Sequence, residues 1–268
     1  MLCCVRPGST ARKKGGVLGF STWFSRTQVQ APAPVMPPAG KAPLVDIITA
    51  RFGKDLNTLV GSHDDADVEL RIGGRAVPAH RVVLCAASEL WNGILTAGVH
   101  PAIVLSMTTT VDQPVYVELN PSLIGYNTLL QCLEYWYGGM AEILMRHPLL
   151  LTTPVAHTEL AALEDAAKHF EATPLLEAVK NARDGRSELN PSIGTHQSDA
   201  TGARLVQCFL GRQLFADAQV ELQDGRKIPV HRAILRSRSA AIRGLFACYE
   251  GPLQMTDAAP DVALAALQ

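Results

Sequence analysis

His80 and His231 are the residues whose type and setting come nearest to chemistry in this chain. Each sits in an apolar-His-Arg triplet, Ala79-His80-Arg81 and Val230-His231-Arg232. A catalytic histidine needs a nucleophile or an acid beside it and a pocket for its substrate. No serine or cysteine stands in a nucleophile-elbow setting, no glycine-rich loop suits a phosphate, and the eight histidines are scattered without metal-ligand spacing. Cys3, Cys4, Cys85, Cys132, Cys208 and Cys248 form no C-x-x-C pair and read as reduced thiols of an intracellular protein. The expectation is two buried histidines, each bridging a strand–helix junction, in a protein that is not an enzyme and holds no cofactor or metal. Asp67 and Arg81 are the other pair of interest, opposite charges fourteen positions apart. Charges partly buried together can fix specificity more than stability. Around His231 only Arg232 remains of that pair. Gln219 takes the place of the acid, and Asp217 lies two positions upstream.

These residues fall in a stretch that the chain writes twice, Asp67–Leu95 and Gln219–Phe246. Aligned with one gap at the turn, the copies share Val68/Val220, Glu69/Glu221, Leu70/Leu222, Arg75/Arg226, Pro78/Pro229, His80/His231, Arg81/Arg232, Leu84/Leu235, Ser88/Ser239 and Gly93/Gly244. Val68, Leu70 and Ile72 alternate with charged residues, the period of a half-buried strand. Gly73-Gly74 and Asp224-Gly225 are hairpin turn pairs. Pro78 and Pro229 cannot donate to a ladder, which places the return strand at a sheet edge or the proline at a non-bonded position. A short helix follows each histidine, and Ser88 and Ser239 cap a second one.

A hairpin, Asp67-Val68, Ala79-His80-Arg81, Leu84 and Ser88 at these spacings resemble the core of the BTB/POZ domain. The resemblance runs from Asp67 to about Ala182 and recurs, cut short, in the second copy. It implies an α+β fold, a small mixed sheet capped by short helices, present twice with the second copy incomplete. It implies a charged pocket next to a dimer surface, built from Asp67, His80 and Arg81 and echoed at His231 and Arg232. It implies protein partners, homo- or hetero-oligomers, and in many members docking on a cullin scaffold as substrate adaptor of a ubiquitin ligase. The family's cullin signal is an apolar residue, any residue, then Glu, between the second helix and the third strand. The first copy has no glutamate there, and the second has Cys248-Tyr249-Glu250. A scaffold that only self-associates is the alternative.

In chain order, residues 1–43 read as a disordered basic and proline-rich tail, with no acid before Asp46. An organelle transit peptide, or acylation at Cys3-Cys4 beside Arg12-Lys13-Lys14, fits the same stretch, against a plain cytoplasmic or nuclear protein. The first domain is set at 44–184, opening with a helix over Pro43–Val60. Val115–Leu119 is its third main strand. A helix from Asn120 to Gly138 turns Leu123, Tyr126, Leu130, Leu133 and Tyr137 inward, and Trp136 and Tyr137 read as core and interface packing. An insertion spans about 140–157, and helices over Thr158–Phe170 and from Thr173-Pro174 close the domain. Residues 185–203, rich in Ser, Asn, Gly and Thr, read as a flexible linker, and 204–268 as the truncated second domain. The net charge of −1 gives no pull toward nucleic acid, and no apolar run is long enough to span a membrane.

Overall fold

The computed structural model describes residues 52–109, 114–146, 150–151, 153–248 and 251–255. The basic tail, residues 43–51 of the leading helix, Tyr249-Glu250 and everything after Met255 lie outside them. The chain divides into two compact units, whose described residues lie within 52–218 and 229–248, and within 219–228 and 251–255.

In the larger unit, residues 52–57 are helical. Strands β1 (Val68–Ile72) and β2 (Arg75–Ala79) form the expected hairpin, antiparallel, with Ile72 paired to Arg75 across Gly73-Gly74. Both glycines adopt positive φ (53° and 78°), which this two-residue turn requires. Helices α1 (Arg81–Ala87) and α2 (Glu89–Ala97) follow. Ser88 caps α2, accepting from the Trp91 N–H at 3.3 Å. Strands β3 (Val104–Thr108) and β4 (Val115–Leu119) complete a sheet of order β2-β1-β4-β3, with β1 and β4 parallel. Pro78 thus sits on an edge strand, where its missing N–H costs no ladder bond.

Helix α3 (Tyr126–Gly138) starts six residues later than expected, because Asn120 turns back on itself to accept the Ser122 N–H. Its buried set is also different: Leu129, Cys132, Leu133, Tyr135, Trp136 and Tyr137 are inside, with Leu123, Tyr126 and Leu130 only partly covered. The helix is packed on most of its circumference, so a single apolar stripe underestimates it. Trp91, Trp136 and Phe170 interlock beneath it with centroids 4.9–5.6 Å apart.

The expected insertion holds a 3-10 turn, Glu142–Met145, that buries Ile143 and Leu144. Helix α4 (Pro154–His169) begins four residues before its expected start, with Thr153 accepting from the Ala156 N–H and Pro154 in the first turn. Helix α5 (Thr173–Arg183) follows.

The expected flexible linker over 185–203 is a correction. Asn190–Arg204 is a fifteen-residue helix, α6, running into a π-helical turn at Leu205–Phe209. Its buried face is polar: Asn190, Gly194, Gln197, Ser198 and Thr201, at helical spacing. The Gln197 side-chain NH2 donates to the Ala87 carbonyl at 2.9 Å, and its oxygen accepts from the Tyr135 hydroxyl at 3.1 Å. Asn190 donates to the Leu144 and Ala178 carbonyls. These bonds satisfy buried carbonyls that an apolar helix would leave bare.

Beyond α6 come β5 (Ala218–Leu222), β6 (Lys227–Val230), α7 (Arg232–Arg238), α8 (Ala240–Cys248) and β7 (Leu253–Met255). In the smaller unit β5 and β7 pair in parallel, Val220 with Leu253, as β1 and β4 do in the first sheet.

Candidate functional site

The site begins at a turn. Gly61 (φ 69°) and Asp65 (φ 58°) bend the chain between the leading helix and β1. This brings the Asp64 carbonyl to 2.9 Å from His80 Nε2. A carbonyl only accepts, so Nε2 carries the proton. Nδ1 then accepts from the Tyr137 hydroxyl at 3.1 Å, and the same oxygen accepts the His80 backbone N–H at 2.8 Å. Both ring nitrogens of His80 are thereby used, and the residue is 1% exposed. Burial pushes its pKa down, opposed by the hydrogen bond to Asp64 and the charge of Asp67. Burial likewise raises the Tyr137 hydroxyl and takes the Cys85 thiol up to about 12. The expectation of a buried, bridging His80 holds.

His80 is also the cap position of α1, but its ring points inward and cannot cap. Asp67 supplies the cap instead, accepting the Arg81 N–H on Oδ1 at 2.7 Å and the Arg81 Nε on Oδ2 at 2.9 Å. The expected Asp67–Arg81 pair is therefore present, about one-third exposed on each side. It stabilises a helix start as well as presenting charge.

The same device stands around His231. Gly211 (φ 67°) and Phe215 (φ 59°) bend the second turn, and His231 Nε2 lies 2.9 Å from the Leu214 carbonyl. The Asp217 N–H donates to Val230 at 3.3 Å, as Asp67 does to Ala79 at 3.2 Å. Asp217 Oδ1 accepts the Arg232 N–H at 2.7 Å. Asp217, not Gln219, is thus the counterpart of Asp67, and no local shift is needed. β1 and β5 each have five residues directly after the aspartate, so by place in the strand Ala218 stands where Val68 does, two residues from the Val-Glu-Leu match. A slip of two leaves every side chain on its face, so the alternation gave no warning. The missed signal was Gly-x4-Ala-Asp, at Gly61-Ala66-Asp67 and again at Gly211-Ala216-Asp217, a constant 150 residues apart.

The two sites differ in their outer halves. Arg232 Nε is buried without a hydrogen-bond partner among the described residues, and the guanidinium lies 5.0 Å from the Phe246 ring centroid rather than on the aspartate. Burial raises the Asp217 carboxyl pKa, against the hydrogen bond from Arg232. His231 packs edge-on to Phe209 at 6.2 Å. Of Cys248-Tyr249-Glu250, only the backbone of Cys248, at the end of α8, is among the described residues. Among the described residues no three His, Cys, Asp or Glu side chains gather to hold a metal ion, and no helix is long and apolar enough to cross a membrane.

Residues 56–186 match the family model of the BTB/POZ domain. This segment is a BTB/POZ domain. The chain is also similar to a solved structure, the BTB domain of zebrafish PATZ1. The identity is 19% and the TM-score 0.35, over 54% of this chain and 98% of that one. BTB/POZ domains are in general protein–protein interaction modules rather than enzymes. The BTB/POZ segment takes in the hairpin, α1 to α5 and both members of the Asp67–Arg81 pair, and ends before α6.

Proposed function

We propose that the chain is a tandem interaction protein, its BTB/POZ domain followed by a C-terminally shortened second copy, and that it serves as a substrate adaptor of a cullin–RING ubiquitin ligase. The observation that carries the tandem reading is the second turn–histidine–aspartate device, reproduced at His231 with the same three contacts as at His80. Such agreement in hydrogen bonding, on three shared turn residues, is what descent from one unit leaves behind.

The adaptor role rests on the sequence Cys248-Tyr249-Glu250, which begins at the last residue of α8 and resembles the family's cullin signal of an apolar residue, any residue, then Glu. The charged groups at Asp67, Arg81 and Arg232 then belong to partner surfaces. Co-purification of the full chain with a cullin amino-terminal domain tests it. Binding is expected, with loss on Glu250→Lys. No binding by a chain shown to be folded removes the ligase role and leaves the interaction module standing. The alternative, a scaffold that only self-associates, draws support from the contacts that the two turns make with each other's helices.

A further inference from the structure

Each turn reaches the helix that follows the other histidine. Arg236, on α7, donates from Nη1 to both carboxylate oxygens of Asp65 at 3.0 and 3.1 Å, and its Nη2 lies 3.4 Å from Asp64. Both sides are largely covered, with side-chain exposures of 21% for Arg236 and 11% for Asp65. Arg238 joins Asp55 at 3.2 Å and lies over the Phe52 ring. Ala233 is buried in the same core cluster as Leu56 and Val83, and Ile234 packs against it. In the opposite sense, the Phe215 ring of the second turn sits 4.7 Å from the Arg81 guanidinium and stacks on Phe209.

Residues 65 and 215 are the equivalent positions of the two turns. Both are held at positive φ, which is strained for a bulky residue such as Phe215. The strain is kept where the side chain touches the other helix. One turn offers an acid to an arginine of α7, and the other offers an aromatic face to the arginine of α1.

We propose that the acidic turn at Asp64–Asp65 is a self-association surface that the chain closes upon itself, with its own basic helix α7 as the occupant. Two arginines of the segment 232–238, Arg236 and Arg238, face a BTB/POZ domain that presents Asp55, Asp64 and Asp65. The chain behaves as a tethered pair at this face. A second copy enters only by exchanging α7, a domain swap. Cullin binding can fail without touching this inference, and the inference can fail without touching cullin binding.

The test uses full-length chains carrying Asp65→Arg, Arg236→Asp, or both. Arginine at 65 adds a backbone cost from the left-handed conformation, equal in the single and the double variant, so the comparison between them cancels it. Each single reversal is expected to open α7 to protease, and the double reversal to restore wild-type resistance. An equimolar mixture of the two single variants regains complementary charges only in trans, so it is expected to form a one-to-one pair in sedimentation velocity that neither forms alone. Failure of the double reversal to restore protection, or absence of the mixed pair, overturns the proposal. Should the reversals not fold, Arg236→Gln serves: hydrogen exchange of α7 amides is expected to rise about tenfold or more, and unchanged exchange overturns the proposal equally.

Discussion

Tyr137→Phe isolates the network that holds His80. The substitution keeps the ring and removes one hydroxyl, and that hydroxyl serves two buried groups, the His80 N–H at 2.8 Å and Nδ1 at 3.1 Å. Water cannot replace it easily, since Tyr137 is 2% and His80 1% exposed. Each buried group left without a partner costs about 1–3 kcal/mol, so the variant is expected to lose about 2–4 kcal/mol. Urea unfolding at pH 7.5 reads this as a lower midpoint at unchanged slope. A pH series adds a second check. The pKa of His80 is lowered in the folded state, so the unfolded chain binds the extra proton first. The contribution of neutral His80 is fully present above the unfolded value of about 6.5 and is lost as pH falls from there through the folded pKa. One such group gives a slope of at most about 1.4 kcal/mol per pH unit. His80→Asn is expected to be less stable at pH 7.5 and to flatten that slope. A Tyr137→Phe midpoint within about 0.5 kcal/mol of wild type, or a His80→Asn slope equal to wild type, refutes the reasoning.

The two caps are expected to be unequal. Asp67→Ala removes two hydrogen bonds to Arg81 and should cost about 2–3 kcal/mol, whereas Asp217→Ala removes one and should cost about 1–2 kcal/mol, both read by thermal unfolding of the full chain. Gly139→Ala should cost about 2–4 kcal/mol, because residue 139 has φ 85° and a Cβ there collides with the Gly194 carbonyl of α6; Gly185→Ala, in open space, isolates the backbone part of that cost. Gln197→Leu should destabilise α6 by about 1–3 kcal/mol despite its greater apolarity, since the Ala87 carbonyl and Tyr135 hydroxyl lose their partner, and hydrogen exchange of 190–204 will show it.

Much of the fold was legible because it follows from local rules. Val68–Ile72 and Val115–Leu119 alternate, Gly73-Gly74 turns, and Ser88 caps, and all three readings match the observed elements. What escaped was built from polar contacts. Helix α6 buries Asn190, Gln197, Ser198 and Thr201, a stripe that hydropathy reads as linker although its spacing is helical. The site was half visible. Asp67 and Arg81 come together beside His80 as the family resemblance implies. The partner of His80, Tyr137, lies 57 residues away and was read only as packing. The acid beside Arg232 is Asp217, not the Gln219 position to which the Val-Glu-Leu match points. The turn, which shares only Gly, Ala and Asp, held the true register.

The kinship of the two devices is tested most directly by two-bond proton–nitrogen spectra of the histidine rings in the full chain at pH 7.5. His80 and His231 are both expected to carry a proton on Nε2, donated to the Asp64 and Leu214 carbonyls, with His80 Nδ1 bare toward Tyr137. An Nδ1-protonated neutral ring at either position leaves that carbonyl without its donor and contradicts one device written twice.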